Sequence, residues 1–218
     1  MITKETISFL KELKENNNKP WFDANKKRYE AAKANVVAVA AEIIKGLTKM
    51  DKRYGEIKPE KAVFRIYRDI RFSKDKTPYK TNLGAGFGFG GKDDERAGFY
   101  LHIQPGNVFV GGGCWQPAAP TLKAIRQEID YNFKEFKGIL DNKEFKKWHG
   151  ELGGDKLKNP PKGYEKDNPA IEYLKHNSFT AGHQFSDSEI TSPKFVENAM
   201  AAYKAMNPLI EFLNRAAE

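Results

Sequence analysis

Apolar residues near the start of the chain recur three apart, at Ile7, Leu10 and Leu13. That spacing predicts a short helix with Thr3 as its N-cap. Asn16-Asn17-Asn18 predicts its end, because asparagine tolerates the left-handed conformation at a helix C-terminus. Pro20 suits the first turn of a second helix, and Asp23 favours its dipole. Phe22, Tyr29, Val36 and Ile43 then step by seven, with Ala32, Val39 and Leu47 between them. A stripe this narrow, running to about residue 50, predicts one long helix; it suits a coiled-coil seam, but in a globular chain it more often packs on a sheet.

The centre of the chain reads as strands, expected over 63–67, 83–89, 99–104 and 108–112. Pro105-Gly106 is a type II turn signature that joins the last two as a hairpin. Pairing Gln104 with Asn107 sets His102 opposite Phe109 and Tyr100 opposite Gly111. One face then carries Phe99, Leu101, Ile103, Val108 and Val110 as core. The other carries Tyr100, His102, Gln104, Asn107 and Phe109, with room beside Gly111. Helical spacing returns over 120–140, with Ile125, Ile129, Phe133, Phe136 and Leu140 inward, and a short helix follows over 143–148. Pro160-Pro161 and four glycines make 150–168 a loop. Asp167 or Asn168 with Pro169 opens a short helix to about 175. Ser192 and Pro193 start a last one, which Pro208 is expected to break or kink. The pattern predicts an α+β fold, a mainly antiparallel sheet flanked by helices, in one domain over 1–218.

Composition narrows the function classes. The 218 residues are 39 % hydrophobic, enough for a core, and no apolar run approaches the roughly 18 residues of a membrane span. The first residues have scattered charges and no apolar signal region. A single cysteine, Cys114, excludes a disulfide framework and a cysteine-based zinc site, and suits a reducing compartment. A cytoplasmic location without a membrane partner is expected. The net charge of +8 is not spread evenly. Residues 58–82 hold the cations Lys58, Lys61, Arg65, Arg68, Arg71, Lys74, Lys76 and Lys80 against Glu60, Asp69 and Asp75, a net +5 in 25 residues.

Two familiar patterns fail on inspection. Gly86 to Lys92 matches the first seven positions of a phosphate-binding P-loop, but the eighth is Asp93 and a strand, not a helix, is expected next. Alternation explains the glycines better: Gly84, Gly86, Gly88 and Gly90 lie on one strand face, which a ring, a backbone or a ligand can approach closely. Gly111-Gly-Gly-Cys114-Trp115 resembles the Cys-Trp of papain-like proteases, yet no histidine partner is assigned by spacing, so a small buried cysteine is expected. No pair among His102, His149, His176 and His183 has ligand spacing for one helix face. No metal and no cofactor are expected.

The distinctive segment is 64–82. A straight strand would put Arg68 among Phe64, Ile66, Ile70 and Phe72, where an unpaired guanidinium is costly. Either the strand breaks near Arg68-Asp69, or Arg68 is held by an acid, with Asp69 and Asp75 nearest. The rival reading is an anion site of Arg65, Arg68, Arg71, Lys74 and Lys80, since arginine forks match phosphate or carboxylate oxygens in pairs. Tyr67 and Tyr79 among the cations suit stacking on bases.

This segment, with Asn16-Asn-Asn-Lys-Pro-Trp-Phe22, Gly98-Phe-Tyr-Leu-His102, Gly111-Gly-Gly, Pro161-Lys-Gly-Tyr164 and Asn168-Pro-Ala, resembles a widespread bacterial family with fungal members, number 2461 in the domain-of-unknown-function series. The likeness runs from about residue 7 to 212 and implies one domain, but no reaction. The family's glycine run usually leads into an apolar residue and Trp, so Cys114 in that place weakens a nucleophilic role. The leading expectation is a protein that binds a phosphorylated metabolite or nucleic acid on the arginine–lysine cluster. Tyr67, Tyr100, Gly111, Gly113, Lys162 and Tyr164 are expected to line the pocket. The alternative is a hydrolase or phosphoryl-transfer enzyme with His102, Asp69 or Asp75 as acid–base groups. An interaction scaffold on the long helix is the third reading.

Overall fold

A computed structural model describes residues 1–89 and 96–216. In chain order it places helices α1 (Lys4–Glu15), α2 (Lys19–Ala24) and α3 (Lys26–Thr48), a 3-10 turn (Lys52–Glu56) and α4 (Pro59–Ala62). Strands β1 (Leu83–Phe87), β2 (Gly98–Ile103) and β3 (Val108–Cys114) follow, then α5 (Ala119–Tyr131), α6 (Phe133–Asp141), α7 (Lys143–His149) and α8 (Ile171–Leu174). The chain ends with β4 (Phe179–Phe185), α9 (Asp187–Ile190) and α10 (Phe195–Arg215). The strands form one antiparallel sheet in the order β1-β2-β3-β4, so the fold is α+β.

Contacts group the chain into two compact units. The first holds residues 1–87, 100–110 and 184–200, and the second 88–99, 111–183 and 201–218. In the first, Thr3 caps α1 through its side chain as expected. The helix ends at Asn16 with φ −125°, so the exit is not left-handed. The expected long helix is broken at Asn25, whose side-chain amide donates back to Trp21 O and so competes with the ladder. The apolar stripe survives the break: Phe22, Tyr29, Ala32, Val36, Val39, Ile43 and Leu47 are all buried. Fully burying a side chain of this size stabilises by about 1.5–3 kcal/mol, which outweighs the interruption.

The 105–106 turn forms as expected, with Gly106 at φ +75° and Asn107 N–H donating to Gln104 O at 2.8 Å. Leu101, Ile103, Val108 and Val110 are sealed in the first unit, and Phe99 in the second. Residues 63–67 are not a strand. They make only isolated bridges, Val63 with Ala85 and Tyr67 with Tyr79.

In the second unit the expected 120–140 helix is divided at Asn132, which closes α5 and opens α6, and Phe133 is left half-buried. Pro208 does not break α10, which runs through it. One ladder bond is missing there, but Tyr203, Met206, Leu209, Ile210 and Phe212 hold the helix on its buried face. Gly113, at φ +118°, lies against the next strand so closely that a Cβ would stand 2.0 Å from Phe179 O. Strand β4 is not among the expected strands, because its alternation is diluted by Ala181, Gly182 and His183.

Candidate functional site

The basic segment folds as an irregular hairpin. Phe64 N–H donates to Gly84 O, Arg68 N–H to Pro78 O and Lys80 N–H to Ile66 O. Residues 66–68 therefore run antiparallel to 78–80, and 69–77 form the tip. The Asn-rich turn after α1 fixes this hairpin from one side. Asn17 donates its side-chain amide to Tyr79 O at 2.9 Å and accepts Tyr79 N–H at 3.1 Å. Phe22 stacks on the Tyr79 ring, centroids 3.9 Å apart, and Tyr67 meets Phe22 edge-on at 5.9 Å. Tyr67 and Tyr79 thus belong to an aromatic support, with Tyr79 buried and Tyr67 half open. Asn17 and Phe22 were absent from the expected site. Their signal is the Asn-Asn-Asn-Lys-Pro-Trp-Phe motif itself, which the helix punctuation, the apolar stripe and the family resemblance use without tying it to the basic segment.

Both resolutions of the Arg68 conflict occur together. The chain leaves strand geometry, and Arg68 is held by Asp75, by Thr77 O and Oγ1, and by Ser73 Oγ. The Thr77 backbone N–H, the Thr77 hydroxyl and Arg68 hold the Asp75 carboxyl at a pKa of about 2. Arg71 grips Asp69 with two bonds, Nε to Oδ1 at 3.0 Å and Nη2 to Oδ2 at 2.7 Å. That guanidinium holds Asp69 below the usual carboxylate range. Lys76 donates to Ile70 O. Asp69 and Asp75 therefore order the tip as fixed anions, far from the near-neutral pKa that acid–base catalysis favours.

The remaining charges face outward. Arg65 and Lys74 are exposed and make no ion pair or hydrogen bond among the described residues. Lys80 Nζ lies 5.9 Å from the Phe64 ring centre. At the tip Phe72 is 95 % exposed, with the Arg71 guanidinium 5.8 Å from its ring centre.

The expected polar strand face is present in the same unit. Tyr100 OH donates to His102 Nδ1 at 3.0 Å, and His102 Nε2–H donates to Gln104 Oε1 at 3.1 Å. His102 stacks on Phe109 at 4.7 Å, the pair that the hairpin register predicts. Burial lowers the His102 pKa and raises that of Tyr100, so both are neutral near pH 7. With both ring nitrogens bonded, His102 has no lone pair to offer a substrate. The bare glycine face of β1 is filled by rings: a Cβ at Gly84 would meet Tyr100, and one at Gly86 would meet Phe64.

The other expected lining residues belong to the second unit. Gly113 presses on the Phe179 backbone and Gly111 is buried, so both serve strand packing. Lys162 is exposed, and Tyr164 is half-buried after a turn in which its N–H donates to Pro161 O. Cys114 is buried at 3 % exposure, as expected for a structural thiol. The P-loop-like Gly90, Gly91, Lys92 and Asp93 lie outside the described residues. Among the described residues no group of three or more His, Cys, Asp or Glu is placed to hold a metal ion, and no helix is long and apolar enough to cross a membrane.

No curated protein and no solved structure matches the chain. A family model described as a conserved hypothetical protein, DUF2461, matches residues 5–212. That span includes the Asn17–Phe22 support, the basic hairpin and the Pro161–Tyr164 turn, so the motifs behind the resemblance are also those that build the structure here. The chain belongs to the DUF2461 family.

Proposed function

We propose that this protein binds single-stranded nucleic acid in the cytoplasm through the tip of the 63–80 hairpin. The observation that carries this reading is Phe72, 95 % exposed in a loop of cations. An aromatic ring left in water offers a face on which a base stacks, worth about 1–3 kcal/mol per base. Arg65 and Lys74, exposed and in no direct ion pair among the described residues, supply charge for the phosphates. Asp69 and Asp75 keep the loop shaped by pairing internally with Arg71 and Arg68. An outward tip suits a polyanion better than a small phosphorylated metabolite, which calls for a concave pocket. Catalysis has less support, because Asp69 and Asp75 are held ionised and His102 is bonded at both nitrogens.

The test is fluorescence anisotropy with a labelled single-stranded oligonucleotide over a salt series. Affinity falls with added salt, as phosphate contacts release counterions. Phe72→Ala weakens binding by about 5- to 100-fold with the salt slope retained. Lys74→Gln flattens the slope by about 0.7. No binding at low salt, or equal binding by the Phe72→Ala protein, overturns the reading.

A further inference from the structure

The hairpin tip is one end of a longer surface in the first unit. At the hairpin's base Lys80 Nζ lies 5.9 Å from the Phe64 ring centre, and that ring lies 6.1 Å from Tyr100. Tyr100 in turn is 5.8 Å from Phe109, on which His102 stacks at 4.7 Å. Four rings thus form a continuous row from the hairpin to β3, with Tyr100 and Phe64 filling the space above Gly84 and Gly86 of β1. All four are half-buried, whereas Leu101, Ile103, Val108 and Val110 are sealed on the opposite face. One face of the sheet is therefore core, and the other leaves aromatic surface in water.

Amides border this row. Asn82 Nδ2 lies 3.5 Å from His102 Nδ1, and Gln104 Oε1 accepts His102 Nε2–H at 3.1 Å. Asn82 Oδ1 and Gln104 Nε2 make no hydrogen bond among the described residues, so an acceptor and a donor stay available beside the rings. Neither the row nor this border includes an acidic residue, and the cations Lys80 and Arg65 stand at its hairpin end. Rings match base faces, amides match base edges, and positive charge without carboxylates suits phosphates, which together is the chemistry that takes unpaired nucleotides. Phe72 and Phe64 are eight residues apart in sequence. That is at most about 29 Å of extended chain, within the length of a strand of several nucleotides. We propose that the single strand whose base stacks on Phe72 continues along the hairpin past Lys80 onto the Phe64–Tyr100–His102–Phe109 row, where a further base is held. This inference rests on the nucleic-acid reading and extends its site from one base to several nucleotides.

The experiment titrates the full chain with thymidylate oligonucleotides of about 3 and about 12 nucleotides, reading affinity by anisotropy and the His102 imidazole by NMR. The longer one is expected to bind about 10-fold more tightly or better, as an added stacked base implies, and to shift the His102 signals. The shorter one leaves those signals in place. His102→Gln assigns them by their loss. Phe109→Leu, which keeps an apolar side chain on the face, is expected to weaken the longer oligonucleotide about 5-fold or more and the shorter one not at all. Should His102→Gln fail to fold, the Phe109→Leu comparison decides alone. If Phe72→Ala weakens both oligonucleotides alike while His102 does not shift and Phe109→Leu binds as the wild type does, this inference is overturned and the tip reading stands. No binding of either oligonucleotide at low salt overturns both.

Discussion

At Gly113 the backbone and its neighbour together exclude any side chain. Its φ of +118° is a region that L-residues rarely adopt, and a Cβ would stand 2.0 Å from Phe179 O. Gly113→Ala is therefore expected to destabilise by about 3 kcal/mol or more, through strain and a backbone clash that no rotamer relieves. Gly138 is the natural control. It lies in α6 with nothing within 4 Å of its would-be Cβ, so Gly138→Ala is expected to stabilise by about 0.5–1 kcal/mol. Urea midpoints of the two variants check this, and shifts of the same sign would refute it. The sequence marked the 111–113 run as special but left its cause open. Space around a glycine depends on a strand some 65 residues later, and β4 was the strand that alternation failed to reveal.

At the scale of elements, the basic hairpin depends on a turn far from it in sequence. Asn17→Ala removes both bonds to the Tyr79 backbone, in a place where Tyr79 is buried. The expected loss is about 1–3 kcal/mol, with faster proteolysis within 69–77. Asn17→Asp keeps the acceptor for Tyr79 N–H and should lose less; equal losses would place the role of Asn17 elsewhere. Local signals located most helices, because caps and apolar spacing act within a turn or two. They misjudged the breaks at Asn25 and Asn132, where a side-chain amide bonds back to the preceding turn, to Trp21 O and to Glu128. They also overestimated 63–67 as a strand. Arg68 announced a conflict there, but the remedy required Thr77 and Asp75 to fold back over it, which no local period encodes.

At the scale of the whole molecule, stability should depend on protons bound by histidine. Burial pushes His102, His149 and His176 below the ordinary value of 6.5. His149 donates Nε2–H to Ala202 O, and His176 donates Nδ1–H to Ser178 O, bonds that the neutral rings already make. Each folded-state pKa lies below the unfolded one, so the unfolded chain binds more protons in between. Stability is complete above about pH 6.5 and is lost as pH falls from there toward the folded values. Urea midpoints measured from about pH 7.5 to about 5.5 should decline, and His149→Gln should reduce the slope. A flat profile would contradict this. The carboxylates held low, such as Asp75, act only further down, below about pH 4. Net charge, +8 in all, located the basic hairpin but not its support, since Asn17 and Phe22 are uncharged. That support has one more effect. Tyr79 faces away from Tyr67 with its own N–H and C=O, the groups that an incoming strand of another molecule would seize. A single asparagine amide already occupies both, so at this position the hairpin offers no open donor or acceptor for edge-to-edge pairing with another molecule.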